Sequence, residues 1–225
     1  MGLFSKKKAK KEIQPAVEEV KDEELDATGW HAITQAFEKL YPDQKDPRHY
    51  GVLIPWRLGG NDPLQGISIY EASDYYHFVT YGFSELYEKE FENKEYSGYG
   101  FELTLKLKKA GLSDDEAEIK GICGILQALA RETFQHGDIF QPEEYIYTGQ
   151  KTGMDVKAES KIIGFITTLD EAGEIDTPNG KVQFVQLIGM QDQELQAIVD
   201  HTYRVHDLLE KLPDTLTDYT RESVI

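Results

Sequence analysis

Residues 99–108 constrain the fold more than any other stretch. Phe101, Leu103, Leu105 and Leu107 alternate with Glu102, Thr104, Lys106 and Lys108. Successive side chains of an extended chain point to opposite sides. A period of two therefore commits the segment to a strand with one face on a core and the other facing water or polar groups. A helix follows at once. Ser113-Asp114-Asp115-Glu116 has the form of a capping box. Ile122, Ile125, Leu126 and Leu129 make an apolar stripe, and Gly137 is placed to end it.

The remaining elements are read in the same way. Thr28 is expected to cap a helix in which Trp30, Ile33, Phe37 and Leu40 share a face, ended by Tyr41-Pro42-Asp43-Gln44. Residues 51–57 read as a strand, with Pro55 pointing to an edge or a bulge. Leu58-Gly59-Gly60-Asn61-Asp62-Pro63-Leu64 is a turn-rich loop. Residues 67–71, 75–81, 144–147, 161–168 and 181–189 read as strands, the last after the turn Thr177-Pro178-Asn179-Gly180. A long helix is expected from Asp192 to Leu212, with Leu195, Ile198, Val199, Thr202, Val205 and Leu208 on one face, and residues 216–221 as a closing strand. Strands come in adjacent runs rather than alternating with helices. That favours an α+β fold (an α/β sandwich), with a mixed, partly antiparallel sheet packed against helices.

Residues 1–26 are expected to be a flexible Lys/Glu-rich tail and 27–225 a single domain. Apolar side chains make up 40% of the chain, ordinary for a globular protein. The charge is not ordinary. There are 24 Lys and Arg against 41 Asp and Glu, a net −17. Residues 1–25 hold six lysines and six acids, so the whole excess falls on the rest. Such a surface repels phosphate, which argues against nucleic-acid binding, and attracts a basic partner. No apolar run approaches the ~18 residues of a membrane span. The start is basic without an apolar segment behind it, and Lys6 stands where a myristoylation signal needs Ser or Thr. One cysteine leaves no disulfide framework and no four-thiolate zinc site, so a cytoplasmic location is expected.

Familiar catalytic constellations fail one by one. Gly82-Phe83-Ser84-Glu85-Leu86 resembles a nucleophile elbow, but Leu86 stands where the strained turn needs a small residue. Gly98-Tyr99-Gly100 precedes a strand, so no helix N–H groups are aimed at a phosphate there. His201 and His206 are five residues apart, about 140° around a helix, and diverge. Cys123 reads as a small buried apolar residue. His77 shares a strand face with Tyr75, Val79 and Tyr81, and its simplest role is a buried imidazole hydrogen-bonded to backbone. Carboxylate pairs are too common in so acidic a chain to mark acid/base work. An enzyme centred on His77, Tyr81 and Glu102 is the alternative to a chain with no catalytic residues, no metal and no cofactor.

One further pattern is the order of short motifs. Gly29-Trp30-His31-Ala32-Ile33, Leu40-Tyr41-Pro42-Asp43-Gln44 and Leu58 to Leu64 are followed by Ile67-Ser68-Ile69-Tyr70 and the run from His77 to Tyr87. Ser97 to Thr104, Thr177-Pro178-Asn179-Gly180 with Val185 to Gly189, and Leu216-Thr217-Asp218 complete the series. Together these eight resemble the Suppressor of fused family, from residue 29 to about 220. The resemblance implies an α/β sandwich without catalytic activity. In animals this domain is followed by a second, and the two clamp a short strand of a zinc-finger transcription factor of the Hedgehog pathway. Single-domain relatives are typical of bacteria, and the expected type here is bacterial. There the family is linked to immunity proteins that neutralise toxins, often nucleases. A basic nuclease suits an acidic domain that covers its substrate groove. The expected partner is therefore a protein, a basic toxin or a regulatory protein. A scaffold that binds an extended peptide by strand addition is the second reading. Loops 58–66 and 82–99 and the polar face of 99–108 carry Tyr, Gly and acids, and rigid aromatics make good anchors. The expected contact residues are Trp56, Asp62, His77, Tyr81, Glu85, Tyr87, Tyr99 and Glu102.

Overall fold

The computed structural model describes residues 26–147 and 149–225. The expected tail lies almost wholly outside them. Along the chain run α1 (Thr28–Leu40), β1 (Arg48–Gly51), a 3-10 turn (Trp56–Leu58), β2 (Gly66–Glu71), β3 (Tyr75–Tyr81), β4 (Tyr96–Lys108) and α2 (Asp115–His136). Then come β5 (Tyr145–Tyr147), β6 (Ile162–Thr177), β7 (Gly180–Gln191), α3 (Asp192–Val199) and α4 (Val205–Leu209). The strands form a seven-stranded sheet in the order β1-β2-β3-β4-β7-β6-β5. β4 and β7 pair in parallel, and the other neighbours are antiparallel. The sheet is mixed, and the α+β class read from the sequence holds.

Helices cover both faces. Phe101, Leu103, Leu105 and Leu107 point to the same side as Ile67, Ile69 and Phe78, where Ile119, Ile122 and Leu126 of α2 pack on them. The opposite side takes α1 through Ile33 and Phe37, which meet Tyr70, Val79, Tyr81 and Phe184. Further along that side, Leu195 and Ile198 of α3 and Val205 and Leu208 of α4 close on Ile166, Ile188 and Met190. Each fully buried Leu, Ile or Phe contributes about 1.5–3 kcal/mol.

Two-sided cover decides between the two alternatives for the other face of β4, which meets polar groups rather than water. The polar face of β4 is not wet: Glu102, Thr104 and Lys106 are buried. Each has a partner there. Thr104 donates to Asp170 (2.9 Å), Lys106 pairs with Glu171 (2.8 Å), and Lys108 pairs with Asp218 (2.8 Å).

Four element assignments change. The first edge strand is Arg48–Gly51 and not 51–57. Its polar side chains are held by α2, Arg48 and Tyr50 both reaching Glu116 at 2.7 Å. Pro55 lacks an N–H for a ladder and instead leads into the 3-10 turn. Thr28 is the first helical residue and not the cap, because the N–H groups of Gly29 and Trp30 donate to the Leu86 carbonyl (3.1 and 3.2 Å). The long C-terminal helix is two short ones, broken at residues 200–204, where His201 adopts φ 56°. The break lets Leu195 and Leu208 reach one core from differently aimed axes. The closing strand reduces to a bridge between Leu107 and Thr217.

Candidate functional site

The segment 82–95 leaves the sheet after β3 and is fixed from four directions. From below, Glu102 accepts from Thr80 Oγ1 (2.6 Å), Gly82 N (3.0 Å), Ser84 N (2.9 Å) and Ser84 Oγ (2.6 Å). Burial pushes the Glu102 carboxyl up to about 7, against the pull of these donors. From within, Glu85 accepts from Lys89 Nζ (2.7 Å), Gly98 N (2.9 Å), Phe91 N (2.6 Å) and Glu90 N. Burial works to raise the Glu85 carboxyl, but Lys89 and those N–H groups outweigh it and hold it below the usual range. From the side, Asn179 Nδ2 of the β6–β7 turn donates to the carbonyls of Glu85 (2.9 Å) and Tyr87 (3.0 Å). From above, the first turn of α1 donates to Leu86. Gly98 is required here. Its φ is +56°, and a Cβ would strike the backbone of Phe83 and Ser84.

The framed segment borders a groove of about 430 Å³. Trp56, Tyr87, Phe91, Tyr99 and Phe134 line it, with Glu85, Glu88 and Glu90. The rings form a chain: Trp56 to Phe134 at 6.2 Å, Phe134 to Tyr99 at 5.3 Å, and Tyr99 to Phe91 at 5.4 Å between centroids. Phe91 is 44% exposed. A β-bulge between Tyr96 and Phe101 of β4 turns Tyr99 toward this groove.

Four of the eight expected contact residues, Trp56, Glu85, Tyr87 and Tyr99, meet in this groove. Asp62 lies in a neighbouring groove and pairs with Arg131 at 2.9 Å. His77, Tyr81 and Glu102 are enclosed, at 0, 1 and 0% exposure. Tyr81 stacks on Trp30 with centroids 4.3 Å apart. His77 is bonded to side chains rather than backbone: Nε2 to Asp170 Oδ2 (3.0 Å) and Nδ1 to the Tyr41 hydroxyl (2.8 Å). A second bulge, in β6 between Leu169 and Glu174, delivers Asp170 over the sheet. Burial works to raise the Asp170 carboxyl, and His77 with the Ala172 N–H holds it below its ordinary value. Cys123 is partly buried, and burial pushes its thiol up to about 12, so it is a poor nucleophile. Phe91, Phe134 and Asn179 were absent from the sequence-derived set. Phe134, one turn after the buried Ala130, continues the core-facing side of α2 and packs on the core edge as well as lining the groove, so periodicity alone reads it as core.

No group of three or more His, Cys, Asp or Glu among the described residues is placed to hold a metal ion, and no described helix is long and apolar enough to cross a membrane.

Comparisons with known proteins agree with this architecture. The family model "Suppressor of fused protein (SUFU)" matches residues 60–222. The human and mouse Suppressor of fused homologs are each 31% identical over 183 residues, which is 75% of this chain and 37% of theirs. This chain thus spans well under half the length of those relatives. The crystal structure of a Sufu–Fu complex superimposes with a TM-score of 0.76 at 27% identity, covering 88% of this chain and 93% of that one. The crystal structure of Drosophila Suppressor of Fused gives 0.75 at 27% identity, covering 88% and 52%. The chain belongs to the Suppressor of fused family.

Proposed function

We propose that this chain is a non-catalytic, cytoplasmic protein-binding domain whose partner is basic, and that it serves as an immunity protein of the bacterial type, covering the phosphate-binding groove of a nuclease-like toxin. The observation that carries this is the frame around 82–95. Four sets of buried and part-buried hydrogen bonds hold residues 82–91, and that stretch presents aromatic rings and glutamates on a strongly acidic chain. His77, Tyr81 and Glu102 have no surface to offer a substrate, which supports binding over catalysis. Trp56, Tyr87 and Tyr99 are the contact residues this reading retains. Glu85, Glu102 and Asn179 hold the backbone that carries Tyr87 and, through Gly98 N, the residue before Tyr99.

Two experiments test the reading. Immobilised full chain should capture a basic protein from its source cells, and the exchange Glu88→Lys/Glu90→Lys, at exposed positions, should cut that capture about tenfold. Where the product of the adjacent gene arrests growth, co-expression of this chain should restore it. Continued arrest with soluble, folded chain present would refute the immunity role.

The second reading, capture of an extended peptide by strand addition, draws on the two sheet edges, β1 and β5. Proline scanning of a bound peptide separates the two. Strand addition is sensitive to every lost N–H on one side, and groove anchoring is not.

A further inference from the structure

We propose that the groove beside residues 82–95 is a receptor for an arginine side chain projecting from a segment of the basic partner. The inference rests on the reading of this face as the binding surface and adds what the surface recognises.

Two independent features converge on a guanidinium. The first is the row of rings. Trp56, Phe134, Tyr99 and Phe91 follow one another with centroids 5.3–6.2 Å apart, and Phe91 keeps 44% of its surface open. Ring faces attract cations, and a planar guanidinium can stack on them as an ammonium cannot. The second is charge. Between Glu85 and Glu95 the chain carries five glutamates and two lysines. One of those lysines, Lys89, is already bound to Glu85 and to the Tyr96 carbonyl (2.5 Å). Glu85 is likewise spent on its own loop, so the carboxylates left for a ligand are Glu88 and Glu90, both exposed at the groove. A carboxylate accepts two parallel N–H bonds from one guanidinium while its flat face lies on an aromatic ring. Arg57, on the rim, is the groove's own cation and competes with the incoming charge.

The test uses the isotope-labelled full chain and blocked heptapeptides with one central residue flanked by leucines: arginine, lysine or citrulline. Citrulline keeps the planar shape and loses the charge. Amide shifts are expected at Glu88–Phe91 and Tyr99 and at the Trp56 indole with the arginine peptide. The lysine peptide should bind several-fold more weakly, and the citrulline peptide at least about tenfold more weakly. Phe91→Leu keeps apolar area without a π face and should weaken arginine binding as much as Phe91→Ala does. Arg57→Gln should tighten it. Equal binding of the arginine and citrulline peptides, or shifts centred elsewhere, overturns the inference. If capture of a basic protein still fails in Glu88→Lys/Glu90→Lys while the peptides do not bind, the face is the interface but arginine is not its anchor. Failure to capture any basic protein sinks the broader reading instead.

Discussion

Glu102 has no exposed surface, yet it accepts four hydrogen bonds that pin the turn at Gly82–Ser84. Removing it strands several buried donors, so Glu102→Ala is expected to cost about 3 kcal/mol, read as a lower urea midpoint. Its pH signature has a definite sign. Burial raises the folded-state carboxyl from 4.5 to about 7, so the native protein binds the extra proton between those values. This group's contribution is therefore largest below about pH 4.5 and falls as pH rises toward 7. Glu102→Gln lacks that titration. The stability gap between wild type and this variant should shift in the variant's favour from pH 5 to pH 7.5, and a pH-independent gap would contradict the assignment. Sequence could show that Glu102 lies opposite the apolar face of its strand. It could not show that α1, the bulge of β6 and residues 214–218 would cover that side as well. The same cover encloses His77 and Tyr81, two contact candidates chosen for their residue type.

The elements most visible in the sequence are those whose periodicity is their own: β4, β3, α1 and α2 emerge nearly where alternation and stripes put them. Elements fixed by distant partners were illegible. β1 is polar because Glu116 holds it from 66–68 residues away. The hidden bend between α3 and α4 follows from core shape, since a single apolar stripe is shared by two helices aimed differently. The tether of the C-terminal segment was invisible for the same reason. Arg221 reaches Glu194 through Nη1 and Nη2, both at 2.6 Å, and Glu194 also accepts from Gln191 N (2.8 Å) and Val224 N (3.0 Å). Burial works against the Glu194 charge, but Arg221 and these N–H groups hold its carboxyl below the usual range. Glu194→Ala leaves Arg221, at 8% exposure, unpaired and should cost about 3–5 kcal/mol. Joint replacement of the pair by apolar residues should cost much less. Equal costs would show that the pair itself, rather than the orphaned charge, sets the stability.

At the scale of the molecule, the frame and the charge act on the same event. On the proposed reading, the hydrogen bonds that already hold residues 82–91 leave less backbone to order when a partner binds. On the same proposed reading, the net −17 guides a basic partner toward it from beyond contact distance. Guidance of this kind acts on encounter, whereas a groove that anchors the partner, as proposed, acts on residence. The most direct test is the association rate of the full chain with its captured basic partner, followed from about 50 to 500 mM salt. The rate should fall at least about tenfold across that range while dissociation changes little, and Glu88→Lys/Glu90→Lys should flatten the dependence. An association rate indifferent to salt would contradict the claim that this domain works by charge and shape upon a basic protein.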